Sequence, residues 1–262
     1  MGVRIMSPVI AVLGRGAVAG AVAGLFGGGF SYLFAEPLMD RAVRLESARE
    51  VAGRSVADRH VEVFSRATQH VGLLVATTVT GLALGVLFAV VHLLLHRRAL
   101  DAEAWPRALR LAAAGFIGLW LLPFVRYPSD PPGVGDPGTV DLRTRAWLAA
   151  IGISLTGVIL AWALHSRLAG RGRGAPVRQL SVAAVLIAAT TALFALPGDP
   201  DAVDVPAGML WDFRLWSIAA ALLLWAVLGA VFGLLGERAA RHALLPAPHS
   251  GPARARTTHA AG

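Results

Sequence analysis

Cysteine is absent from this chain, and so is lysine; all 24 basic residues are arginine. Without thiols there is no disulfide framework and no thiolate metal site. Without lysine there is no phosphate-binding loop ending in Gly-Lys-Ser/Thr and no Schiff-base nucleophile. Charge is scarce too: 15% of residues are charged, against about 25% in soluble domains. Also missing are a His-Glu-x-x-His pair, a Gly-x-Ser-x-Gly elbow and a dinucleotide fingerprint in a strand context. No segment between the apolar runs is large enough for a nucleotide-binding domain. The reading is therefore not an enzyme.

Apolar sequence is abundant, at 56% of 262 residues. A helix crossing a hydrocarbon core of roughly 30 Å needs about 20 mostly apolar residues. Six stretches meet or approach that length, near 9–35, 71–95, 108–125, 146–165, 180–197 and 215–236. They are rich in alanine and leucine and none alternates with period two, which favours helices over barrel strands. The expected fold is all-α, a polytopic transmembrane bundle of about six spans. Residues 1–245 form one transmembrane domain, and 246–262 a disordered cytoplasmic tail rich in Pro, Ala, Gly, His and Arg. The first stretch has the basic start of a signal peptide at Arg4. It continues too far, to Ala35, and is read as a retained helix whose Arg15 snorkels to the near interface.

The net charge of +8 does not indicate nucleic acid, because the arginines sit between apolar runs rather than along one stripe. With a cytoplasmic N-terminus, segments 1–7, 96–110, 167–178 and the tail from Glu237 hold 13 arginines and 3 carboxylates. Loops 36–70, 126–145 and 198–214 hold 10 arginines and 13 carboxylates. The arginine bias is clearest in the short loops and puts both termini in the cytoplasm. In loop 36–70, Leu38, Ala42, Leu45 and Ala52 fall near helical spacing and suggest an amphipathic surface helix. Loop 126–145 is rich in Pro, Gly and Asp and predicts tight turns.

Gly16, Gly20, Gly24 and Gly28 recur every four residues and put a smooth face on the first span, where another backbone can approach. Gly81 with Gly85 and Gly229 with Gly233 are shorter versions. The third and fifth spans both end in Leu-Pro, at Leu122-Pro123 and Leu196-Pro197. Each is followed by an Asp/Pro-rich loop closing on Asp-x-Arg and tryptophan: Asp141, Arg143, Trp147 and Asp212, Arg214, Trp216. That pattern suggests a hairpin repeat; chance and common interface composition are the alternative.

His92 and His96 share a face at the end of the second span, and His165 ends the fourth on the same side; all three read as interfacial. In the other loops Asp58, His60 and Glu62 alternate, His70 stands at the mouth of the second span, and Asp130, Asp136 and Asp141 follow. Imidazole with carboxylate suits a borderline divalent ion such as cobalt, nickel or zinc. Asp130 and Asp136, aided by His60 and His70, are the candidate metal ligands; a solvated acidic surface with turn-forming aspartates is the alternative.

Arg126-Tyr127-Pro128-Ser129-Asp130 begins a loop that runs through Asp136-Pro137-Gly138-Thr139 to Arg143-Thr144. Preceded by Leu122-Pro123, it resembles the signature loop of the CbtA family of proposed cobalt transporter subunits. Glu36-Pro37, Asp40-Arg41-Ala42, Ser65-Arg66 with Gln69, and Gly72-Leu73 agree with it. So do Leu210-Trp211, Phe213-Arg214, Trp225, Gly229, Phe232 and Gly233. The resemblance implies a cytoplasmic-membrane protein serving cobalt supply for cobalamin, with cobalt as transported substrate and no resident cofactor. It also implies a small single-span partner, CbtB, with a histidine-bearing end, and five spans rather than six. Two departures stand out. Where relatives carry a histidine-rich stretch before Ser-Arg-x-x-Gln, this chain has His60 with Asp58 and Glu62. Asp130 stands where asparagine is expected. A membrane scaffold or assembly protein without transport of its own remains the alternative function.

Overall fold

The computed structural model describes residues 3–35, 37–38, 41, 44, 66–96, 103–131, 137–198 and 205–244. Among them, six helices are long and apolar enough to cross a membrane. They are α1 (Val3–Phe30, continued by a π turn Ser31–Ala35), α2 (Arg66–His96) and α3 (Ala104–Phe116, continued through a π turn Ile117–Leu121 into Leu122–Arg126). Then come α4 (Val140–Gly170), α5 (Ala175–Leu193) and α6 (Ala207–Leu244). The chain is an all-α, multi-pass membrane protein. All six expected helices are present among the described residues, one more than the five spans the resemblance implies.

The surface carries the membrane signature. Ile159, Leu180 and Ile187 are each about two-thirds exposed, at 64%, 70% and 66%, in stretches 146–166 and 179–198 that contain no Asp, Glu, Lys or Arg. Hydroxyls on these helices bond their own preceding turn: Thr78 to the Leu74 carbonyl at 2.6 Å, Thr156 to Gly152 at 2.8 Å and Thr190 to Leu186 at 2.8 Å. With no water in hydrocarbon, an i−4 carbonyl is the nearest acceptor.

Both π turns precede a proline by two residues, Pro37 and Pro123. Proline lacks an N–H, and its ring collides with the carbonyl four residues back. At Pro123 widening the preceding turn relieves that collision, and the helix runs on to Arg126.

Neighbour order across the bundle is α2, α1, α6, α3, α4, α5. Small residues make the closest seams. The glycine ridge of α1 faces a matching ridge on α2 formed by Thr77, Gly81, Gly85 and Ala89. A Cβ added to Gly20 would meet the Gly81 carbonyl oxygen and lie 2.8 Å from the Gly85 Cα; one added to Gly24 would lie 2.9 Å from the Thr78 Cα. The expected close packing is therefore present, with α2 as the partner. A second seam sets Gly229, Gly233 and Gly236 of α6 against Ala104, Ala108 and Ala112 of α3. A third sets Gly157 of α4 on Ala189 of α5, where an added Cβ would lie 2.5 Å from the alanine methyl.

The main core joins α1, α2, α3 and α6 around Val12, Phe88, Leu111, Trp225, Leu228 and Phe232. A smaller one joins α3, α4 and α5 around Leu122, Ala150 and Leu193. Arg15 reaches the end of α6, where a Cβ on Gly236 would lie 3.5 Å from its Nη1. The start of the suggested amphipathic segment is helical at Leu38, Arg41 and Arg44, with Leu38 buried; Ala42, Leu45 and Ala52 lie outside the described residues, as does the tail 246–262. The six helices alternate in direction. One end, with the termini of α1 and α6, is basic; the other carries the acidic loops.

Candidate functional site at the acidic end

At the acidic end α3 stops where its backbone can no longer continue. Tyr127 donates its N–H to the Pro123 carbonyl at 2.8 Å. It then turns out of helix at φ −127°, ψ 79°, as a residue before proline must. α5 ends in tightening turns, with Phe194 N–H to Thr191, Ala195 to Ala192 and Leu196 to Leu193, all at 3.1 Å.

Side chains from α3 satisfy the carbonyls left beyond that end. Arg126 Nη2 donates to the Leu196 carbonyl at 2.8 Å, and the Tyr127 hydroxyl donates to the Pro197 carbonyl at 2.7 Å. The same guanidinium sits 5.1 Å from the Tyr127 ring centre and 5.6 Å from that of Phe194, within cation–π range. The two Leu-Pro ends noticed in the sequence are thus tied to each other.

A second arginine closes the loop from the opposite side. Arg214, in the second turn of α6, donates Nη2 to Asp130 Oδ1 at 2.7 Å and Nε to the Ser129 carbonyl at 3.4 Å. Both side chains are largely covered, at 29% and 20% exposure, so solvent screens this pair less than a surface pair. Pro131, next in the loop, is buried. Nearby, the π turn of α1 is held to α6 by rings: Phe34 stacks on Trp216 at 4.8 Å and Phe30 lies 5.8 Å from it. Residues 126–131 therefore knit α3 to the end of α5 and the start of α6.

Of the four candidate metal ligands, Asp130 is described in full, and its carboxylate carries the Arg214 pair. His70 lies in the first turns of α2, with its side chain outside the described residues. Asp136 and His60 also lie outside them. Among the described residues no group of three or more histidines, aspartates or glutamates is placed to hold a metal ion. In the sequence, Arg126, Tyr127 and Arg214 are legible only as motif letters. Their partners stand 70 to 85 residues away, beyond any local spacing rule.

A family model described as a probable cobalt transporter subunit, CbtA, matches residues 9–237. The chain belongs to the CbtA family. No curated protein and no solved structure matches it. The CbtA match covers most of all six helices and the whole of the knitted loop.

At the basic end of this CbtA-family chain, His92 packs inside the bundle. It is buried, at 2% exposure, with the Phe232 ring 5.0 Å away edge-on and the His96 ring at 4.6 Å. His96 Nδ1 lies 3.2 Å from the His92 carbonyl oxygen. The two do share a face, as i and i+4 residues must. His165 is exposed, as expected of an interfacial histidine.

Proposed function

We propose that this chain is the membrane-spanning subunit of a transporter for cobalt or a similar divalent transition-metal ion. The observation that carries the reading is the CbtA-family match across residues 9–237. The six apolar helices support it, since an ion needs a proteinaceous route through hydrocarbon. The protein sits in the cytoplasmic membrane with its basic end, and both termini, in the cytoplasm; the arginine excess in the short loops supports that orientation. Cobalt is the cargo rather than a cofactor, and a single-span partner of the CbtB type completes the transporter.

The acidic end is the entrance. Its carboxylates concentrate cations, and imidazole favours cobalt or nickel over magnesium, which prefers oxygen ligands and retains water. Asp136, His60 and His70 form the capture site together with Asp130. Asp130 has a double task, because a cation must compete with Arg214 for its carboxylate.

The test is cobalt uptake at limiting concentration in cells with and without the intact chain, and with Asp136→Asn, Asp130→Asn or His70→Ala. Loss of uptake with the chain deleted is the expected result. In variants that reach the membrane, a capture site weakens apparent affinity and excess cobalt restores the rate. Undiminished uptake without the chain would leave the scaffold reading.

A further inference from the structure

We propose that a cleft between α3, α4 and α5 at the basic end holds one anionic phospholipid. The cleft encloses about 330 Å³ and is built in two chemically distinct parts. Its depth is apolar, between Ile117, Val158, Ala161, Trp162 and Leu186. Its mouth is polar, at Arg110, His165 and Ser166. Ile117 opens the π turn of α3, so the widened turn lines the apolar floor.

Trp162, Val158 and Ala114 also border a second, wholly apolar groove of about 530 Å³ toward α2. That groove exists because α2 and α3 scarcely touch. Two apolar slots therefore meet along one line beneath one polar mouth, and a two-chain lipid has that shape.

The charge at the mouth selects the headgroup. Arg110 stands on it directly. Arg178 lies one turn before Val182, which lines the cleft on the same face of α5. A phosphate oxygen is the acceptor that arginine matches best. Arg167 in the last turn of α4, and Arg171 and Arg173 in the α4–α5 turn, stand exposed and extend the positive field.

Among the described residues the nearby carboxylate is Glu103, 3.6 Å from Arg110 Nη2. Both of those side chains are about two-thirds exposed, 60% and 66%, so the pair is weak and a phosphate can displace it. A free phosphate would leave the apolar slots unused. A basic pocket between spanning helices is suited to an anionic headgroup with its chains alongside.

The experiment uses the full chain, purified and delipidated in a neutral detergent. It is titrated separately with dioleoylphosphatidylglycerol, dioleoylphosphatidylcholine and glycerol 3-phosphate. Thermal midpoint and lipid retained in native mass spectrometry are read together. The expected result is one retained phosphatidylglycerol with a raised midpoint, and neither effect from the other two. Arg110→Gln, which removes the guanidinium lining the mouth, should weaken that binding about tenfold, as loss of one charge-assisted phosphate bond implies. Arg178→Gln, one turn before the lining residue Val182, gives a second reading. Equal binding of phosphatidylcholine, or wild-type binding by both variants, overturns the proposal. A full response to glycerol 3-phosphate alone also overturns it, in favour of a free-phosphate site.

Discussion

Adding one methyl group to Gly20 should destabilise the bundle, although alanine is the better helix former. The new Cβ would lie 2.8 Å from the Gly85 Cα and collide with the Gly81 carbonyl oxygen. Carbon atoms pack best at about 3.5–4.0 Å, so α1 and α2 must separate by about 1 Å. Neither obstacle is a flexible side chain that can rotate away. A gap of that size forfeits about a quarter to a half of each contact along the seam, and overpacking of this kind costs about 1–3 kcal/mol. The intrinsic helical gain of alanine over glycine offsets at most about 1 kcal/mol. Gly14 supplies the control, since a Cβ there meets nothing within 4 Å. Gly14→Ala keeps the helical gain without the clash. The two variants should differ by about 1–3 kcal/mol. For a chain of this size that is about 2–12 °C in thermal midpoint. Scanning fluorimetry on both purified proteins, with membrane abundance measured alongside, is the assay. Equal midpoints would refute the claim that backbone contact along this ridge holds α1 to α2.

Other expectations follow from single contacts. Because the chain has no native cysteine, Ser129→Cys and Ala202→Cys should react with a membrane-impermeant maleimide from outside and Arg171→Cys should not. Arg171 is preferred to Gly172, whose φ of 68° would strain any side chain; the reverse labelling pattern would invert the topology. Arg214→Gln should cost about 1–3 kcal/mol by stripping a covered charged bond, whereas Asp130→Asn should cost less, because its amide oxygen still accepts from Arg214. Equal losses in thermal midpoint would mean that ionic attraction, not the hydrogen bond, pins the loop. Ser154 is fully buried with an unpartnered Oγ among the described residues. Ser154→Ala should therefore leave the midpoint unchanged or raise it by relieving about 1 kcal/mol of desolvation; a clear drop would reveal a partner for that hydroxyl.

The sequence by itself determined the spans, because crossing hydrocarbon is a local requirement on length and polarity. Its six stretches reappear as six helices, longer mainly at α4 and α6, whose polar ends extend past the apolar runs. The glycine ridge was legible for the same reason: a four-residue period stays on one helix face wherever the partner stands. The partner was not legible. Gly16 to Gly28 meet α2, while Gly229 to Gly236 meet α3, whose alanines at 104, 108 and 112 look ordinary in an alanine-rich chain. Only the tertiary structure decided that Arg126 and Tyr127 cap the end of α5, and that Asp130 answers Arg214 across 84 residues. It likewise decided that His92 packs against Phe232 in the core. A lone charge or imidazole has no period. Its role is set by whichever helix the packing of small residues brings beside it.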